Sequence, residues 1–161
     1  MHWREKKHDL EVILSMSIWK KMLKLCAKGY PNECGGILIG QYNDDLKKAE
    51  IKEIMVSNNS KGARITFIRE ADEVNNLLKR LWQLSSATIG TKYFIGEWHS
   101  HPNGNGVPSG MDDNAMYKIA KSKKCSCRRP ILIIISGGPR VWRANRCWIY
   151  IQEGVRLELN N

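Results

Sequence analysis

The chain has 161 residues, the span of one ordinary domain and too short for two domains with a linker. Hydrophobic residues at 42% against 26% charged exclude a disordered polymer, and no stretch nears the ~20 apolar residues of a membrane-spanning helix. A formal charge of +10 points to nucleic acid, an acidic protein or an anionic membrane as partner classes and leaves the fold open.

Met1 to Asp9 is charged, and His2 and His8 within it are expected to be ordinary surface residues. The apolar stretch that follows is short, interrupted by Glu11, Ser15 and Ser17, and carries no small-residue cleavage site, so no secretory signal is expected. Residues 10–16 predict a first strand. Ser17 is then the expected N-cap of a helix to about Lys28, with Ile18, Met22 and Leu25 at helical spacing and Gly29 as the stop. Residues 34–41 are a glycine-rich apolar strand, and residues 48–56 alternate charged and apolar side chains as a half-exposed strand does. Residues 57–64 form a polar loop, 65–68 a short strand, and 70 to about 86 a helix with the stripe Val74, Leu77, Leu78, Leu81 and Leu84.

Residues 91–98 predict a central strand leading into a histidine-rich segment. A loop over residues 103–110 precedes a helix from Met111 or Asp112 to about Lys121. Residues 131–135, five branched apolar side chains in succession, predict a strand buried on both faces. Residues 141–152 and 155–159 are expected to close the sheet as antiparallel strands around Glu153 and Gly154. The sum is one α/β domain over residues 1–161, with a central sheet and about three helices.

Glu97-Trp98-His99-Ser100-His101-Pro102 is the segment that carries chemistry. Residues two apart on a strand share a face, so His99 and His101 can both reach one ion at the ~2.0–2.1 Å zinc–nitrogen distance. Asp112, at the expected helix start beyond the loop, can turn its carboxylate back as third ligand. Three protein ligands leave the fourth tetrahedral position to water, as in catalytic zinc sites. Hydrolysis also needs an oxyanion donor and a base. Ser109 can donate its hydroxyl, and the base is a carboxylate on a neighbouring strand (Glu33) or on the histidine strand itself (Glu97).

His99-Ser100-His101, seven residues, Ser109, two residues, Asp112 resembles the JAMM signature of the MPN-domain (JAB) metallopeptidases at every defined position. Upstream, Glu33-Cys34-Gly35-Gly36-Ile37-Leu38-Ile39-Gly40 is similar to that family's glutamate-bearing strand, Glu-x-x-Gly-x-Leu-x-Gly. A lone His-x-His is weak, whereas serine and aspartate at fixed offsets make chance agreement improbable. The resemblance implies an α+β, cytidine-deaminase-like MPN/JAB fold with a mixed sheet. It implies one zinc on His99, His101 and Asp112, Glu33 as general base and Ser109 as stabiliser of the tetrahedral intermediate. Glu97 matches no defined catalytic position.

The resemblance further implies hydrolysis of a peptide or isopeptide bond after the C-terminus of a ubiquitin-like protein, with residues 57–64 and 122–129 as candidate groove walls. The compact form with Gly96-Glu97-Trp98-His99 looks most like bacterial JAB proteins of CBASS anti-phage operons, which detach a nucleotidyltransferase from its target. The competing functions are a peptidase acting on small peptide-like substrates, an MPN-type scaffold without turnover, and a nucleic-acid-associated protein suggested by charge alone. An intact Glu33, Ser109 and Asp112 argues against the scaffold.

Five cysteines are an odd number, and Cys26 and Cys34 read as small buried residues, so no disulfide framework is expected and the setting is cytoplasmic. Cys125 and Cys127 lie among Lys121, Lys123, Lys124, Arg128 and Arg129; a second zinc needs further ligands, and Cys147 is the obvious extra. That basic run lacks interleaved aromatics, which favours a solvated surface or an acidic protein partner over nucleic acid. Trp19 and Trp82 are expected in the core, Trp98 beneath the site, and the tryptophans among Arg140 to Trp148 on a covered sheet face.

Overall fold

The structure is a computed structural model in which residues 1–56, 93–122, 127–151 and 154–161 are described. The expected loop 57–64, strand 65–68 and helix 70–86 with Trp82 lie outside those residues, as do Thr91, Cys125 and Glu153. Among the described residues no helix is long and apolar enough to cross a membrane.

β1 (His2–Glu5) and β2 (Leu10–Leu14) pair antiparallel. Alternation sets their faces: Trp3, Leu10, Val12 and Leu14 are buried, while Arg4 and Glu11 meet outside at 3.0 Å. β1 is a strand not expected from the sequence. Its single inward residue, Trp3, donates its indole N–H to the Ala144 carbonyl at 2.9 Å inside the core.

α1 (Met16–Gly29) is capped by Ser15, not by the expected Ser17. The inward alternation of β2 ends at Leu14, so the cap falls on the next residue, whose hydroxyl accepts the Ile18 N–H at 3.3 Å. Trp19, Met22 and Cys26 form the buried stripe, flanked by Ile18 and Leu25. The helix ends at Gly29, and the Tyr30 N–H returns to the Cys26 carbonyl at 3.0 Å.

β3 (Gly35–Tyr42) and β4 (Lys48–Val56) form a hairpin whose turn is organised by Asn43, its side-chain oxygen accepting from Lys47 and Lys48 N–H at 3.0 and 2.8 Å. β3 also pairs antiparallel with β5 (Tyr93–Pro102), which runs parallel to β6 (Ile131–Gly138). β5 therefore continues four residues past the expected end; His99 lies between Gly35 of β3 and Ile134 of β6, and His101 pairs with Ser136 of β6. β6 is buried on both faces as expected. Ile131, Ile133 and Ile135 enter the main core; Leu132 and Ile134 pack with Met116 and Ala120 of α2 (Gly110–Lys121) and with Trp148 and Tyr150.

The strand expected over residues 141–152 divides into β7 (Val141–Arg143) and β8 (Arg146–Tyr150), both antiparallel to β6 but with the register slipped by one residue between them. The break has a cause in the neighbours: the Ala144 carbonyl goes to Trp3, and the Asn145 carbonyl accepts the Asn161 N–H at 2.9 Å. β9 (Arg156–Asn160) pairs with β8 and meets β1 at Asn160 and Arg4.

These pairings close a ring, β1–β2–β4–β3–β5–β6–β8–β9 and back to β1, with β7 alongside β6. Among the described pairings only β2–β4 and β5–β6 are parallel, so the sheet is mixed and the fold α+β. Two helices lie among the described residues; the third expected one falls outside them. Closure leaves few open strand edges and makes the ring a stiff frame for whatever projects from it.

Candidate metal centre

His99 and His101 leave the same face of β5, while Ser100 and Trp98 turn inward and are buried, Trp98 in the main core as expected. Gly35 of β3 lies opposite His99. A β-carbon at Gly35 would stand 2.8 Å from His99 Cβ and collide with the Trp98 carbonyl, so glycine is what lets the two strands approach at this point.

Asp112 comes from the first turn of α2. Ser109 is the N-cap, and the two form a capping box: Asp112 N–H donates to Ser109 Oγ at 3.2 Å, while Ser109 N–H and Ser109 hydroxyl donate to Asp112 Oδ2 at 2.7 and 2.6 Å. Oδ2 is thereby held, and Oδ1 lies 3.5 Å from His99 Nε2. The two histidine Nε2 atoms are 3.0 Å apart, and His101 Nε2 is 3.9 Å from Asp112 Oδ2. In a tetrahedron with ~2.0–2.1 Å ligand distances the donors stand about 3.3–3.4 Å from one another. The observed separations bracket that edge.

His101 Nδ1 lies 2.9 Å from the Asn105 carbonyl. A carbonyl only accepts, so Nδ1 carries the proton and Nε2 keeps its lone pair for a ligand. His99 and Asp112 are buried and His101 half-buried. Two neutral imidazoles and a carboxylate in a shielded site fit a borderline-soft divalent cation by donor chemistry, and its charge would offset the desolvation of the carboxylate. Among the described residues, His99, His101 and Asp112 are the only group of three or more His, Cys, Asp or Glu side chains close enough to share an ion, their ligand atoms all within 4.8 Å of one another. Cys127 and Cys147 are buried and belong to no such group.

Glu33 is half-buried just before β3. Its neighbour Cys34 donates its N–H to Ser100 Oγ at 2.9 Å and accepts the Ser100 N–H at 2.7 Å. Glu33 lies two residues before the Gly35–His99 pair that ends the β3–β5 ladder, toward the His101 end of β5. Glu97 lies opposite Ile37 and Leu132, on the far side of His99 from His101, about 13 Å along β5 from His101.

One contributor escaped sequence reasoning. Asp113, next to the ligand, accepts from Tyr150 OH and from Arg156 Nη1, each at 2.6 Å, and so ties the start of α2 to β8 and β9. An Asp-Asp pair at a helix start was visible, but nothing in the sequence links it to residues 37 and 43 positions away. The tryptophan-rich end behaves as a covered face: Trp148 is in a core cluster, and Arg146 pairs with Glu158 at 3.3 Å.

Residues 15–148 match the Prok-JAB family, prokaryotic homologs of the JAB domain. A protein of Enterobacter hormaechei subsp. hoffmannii (strain UCI 50), named CD-NTase/cGAS isopeptidase, is 36% identical over 129 residues, 80% of this chain and 68% of that protein. A probable metalloprotease of Sinorhizobium fredii (strain NBRC 101917 / NGR234) is 28% identical over 134 residues, 83% of this chain and 79% of its own length. The solution structure of protein DSY2949 from Desulfitobacterium hafniense shares the fold, with a TM-score of 0.64 at 19% identity over 91% of this chain and 88% of that one. The family match takes in Glu33, both histidines, Ser109 and Asp112, and the chain therefore belongs to the Prok-JAB family.

Proposed function

We propose that the chain, as one domain, is a cytoplasmic zinc-dependent peptidase of the JAMM type, hydrolysing the bond after the C-terminus of a protein conjugated in the manner of ubiquitin. One zinc per chain is held by His99, His101 and Asp112. A single observation carries this: donors from a clamped strand and a capped helix converge at separations suited to one ion, with His101 and Asp112 each held from behind by a second hydrogen-bonding group.

Zinc, when bound, supplies the Lewis acidity that activates water and polarises the scissile carbonyl. Glu33 accepts the proton of the attacking water and delivers it to the leaving amine. Ser109 keeps Asp112 aimed and, on turning from Oδ2, donates to the developing oxyanion. The Asn105 carbonyl holds His101 in the tautomer that presents Nε2. The name of the Enterobacter relative, CD-NTase/cGAS isopeptidase, supports a nucleotidyltransferase conjugate as substrate; its setting in an anti-phage, CBASS-like conjugation system is our reading from the motif resemblance.

The test is cleavage of a fusion in which the C-terminal tail of a bacterial CD-NTase-type nucleotidyltransferase is joined to a reporter protein. The zinc-loaded chain is expected to cut at the junction. Glu33→Ala should keep about one zinc and its fold yet cut at least 100-fold more slowly, and Asp112→Ala should lose the metal. Full activity in Glu33→Ala with loss in Glu97→Ala would overturn the choice of base, and cleavage indifferent to stripping of the metal would overturn the whole proposal.

A further inference from the structure

Cys26 and Cys34 take no part in the chemistry above, yet they lie against its frame. Cys26 closes the buried stripe of α1 and is 0% exposed; Cys34 is half-buried at the residue before β3. The end of α1 touches this point: a β-carbon at Gly29 would stand 3.1 Å from Cys34 Cβ. Cys34 packs against the core cluster that holds Cys26, and the Ser100 hydroxyl donates to Cys34 Sγ at 3.5 Å. The hydrogen bond from Cys26, helped by Ser100 and opposed by burial and by Glu33, holds the Cys34 thiol down at about 7, and the Cys26 thiol is pushed up. A half-buried cysteine with thiolate character, backed by a second, buried thiol in the cluster it packs against, is the arrangement of an attacking and a resolving cysteine.

We propose that Cys34 is a site of oxidation by hydrogen peroxide and that Cys26 resolves it into an intramolecular disulfide. In the first step the Cys34 thiolate attacks one peroxide oxygen. The S–O bond forms, the O–O bond breaks, and the hydroxide released takes up the proton lost by the thiol and leaves as water. In the second step Cys26 sulfur attacks the Cys34 sulfenic acid. The S–S bond forms, the S–O bond breaks, and hydroxide departs with the Cys26 proton as a second water. The two thiols give up two electrons in all, and one peroxide is reduced to two waters.

The disulfide draws Cys34 Sγ from the Ser100 hydroxyl. Ser100 stands between the two histidines and Cys34 follows Glu33, so the oxidised chain hydrolyses more slowly. That consequence rests on the function proposed above; the oxidation does not.

The zinc-loaded full chain is treated with hydrogen peroxide, its remaining thiols are alkylated, and the non-reduced tryptic digest is weighed. Peptides 25–28 and 29–47 are expected joined, two hydrogens lighter than their sum, and separated again by dithiothreitol. Cys34 should lose its alkylation at least tenfold faster than the fully buried Cys147. In Cys26→Ala, dimedone should trap a sulfenic acid at Cys34. Full alkylation of Cys34 at peroxide doses that oxidise free N-acetylcysteine would overturn the proposal, as would a disulfide joining any other pair; both readings come from the wild-type chain and depend on no variant. Disulfide formation with cleavage unslowed would sink only its link to hydrolysis.

Discussion

Ser109→Ala separates two tasks of one hydroxyl. In the structure that hydroxyl donates to Asp112 Oδ2 at 2.6 Å and accepts the Asp112 N–H at 3.2 Å, while the Ser109 N–H, which the substitution spares, donates to the same Oδ2 at 2.7 Å. A hydrogen bond to a charged group contributes ~1.5–3 kcal/mol, and the surviving backbone donor retains part of the orientation. The share that reaches the metal is therefore about 1.4 kcal/mol, a loss of zinc affinity of about tenfold, at the lower end of what outer partners of metal ligands usually contribute. Loss of the cap costs a further ~1 kcal/mol of metal-free stability. In a chain of this size that is a fall of about 2–4 °C in Tm. Competition for zinc against a chromophoric chelator at fixed pH, beside thermal unfolding of the metal-free chain, measures both, and Ser109→Thr should restore both. If zinc affinity in Ser109→Ala stayed within twofold of wild type while cleavage fell 100-fold, the hydroxyl would serve the reaction alone. The step from capping box to metal affinity would then be wrong.

Gly35→Ala places a β-carbon against His99 Cβ and the Trp98 carbonyl, so β3 and β5 must part where the site is built; an expected loss of ~2–3 kcal/mol is read from the urea midpoint, and an unchanged midpoint would mean the strands have room to spare. Asp113→Ala removes the acceptor of the Tyr150 hydroxyl and the partner of a part-exposed Arg156, for about 2 kcal/mol, mostly from the hydroxyl because solvent screens the ion pair. Adding Tyr150→Phe to that variant should recover part of the loss. A cost below about 0.5 kcal/mol for Asp113→Ala alone would show that α2 is anchored by apolar packing only.

Elements with their own periodicity were legible in the sequence. β4 occupies the residues its alternation marks, and β6 is buried on both faces because residues 131–135 offer no polar side. α2 was legible as a helix, but it begins at Gly110 and not at the expected Met111 or Asp112, because Ser109 caps it and Asp112 answers the cap. β1 was not legible, because a four-residue strand among Arg4, Lys6 and Lys7 has one inward residue, and what makes Trp3 a core residue is a carbonyl 141 positions away. The same contact interrupts β7 and β8, so one long-range hydrogen bond hid both a strand and a break. The cap expected at Ser17 falls on Ser15 because the inward alternation of β2 ends at Leu14.

The site divides along the same line. The grouping of His99, His101 and Asp112 was legible because their spacing is local, whereas the placement of Glu33 depends on Gly35 facing His99 across β3 and β5. The two groups that aim the ligands, the Asn105 carbonyl behind His101 and the Ser109 hydroxyl behind Asp112, both come from the single connection between β5 and α2. β5 is clamped between β3 and β6, and α2 is tied to β8 and β9 through Asp113, so the frame fixes where the ligands start. The length of that connection fixes where they point. A one-residue change between Asn103 and Ser109 thus strikes two of three ligands at once while leaving every strand of the ring in register, which makes this loop the most sensitive segment for metal affinity and one of the least sensitive for folding.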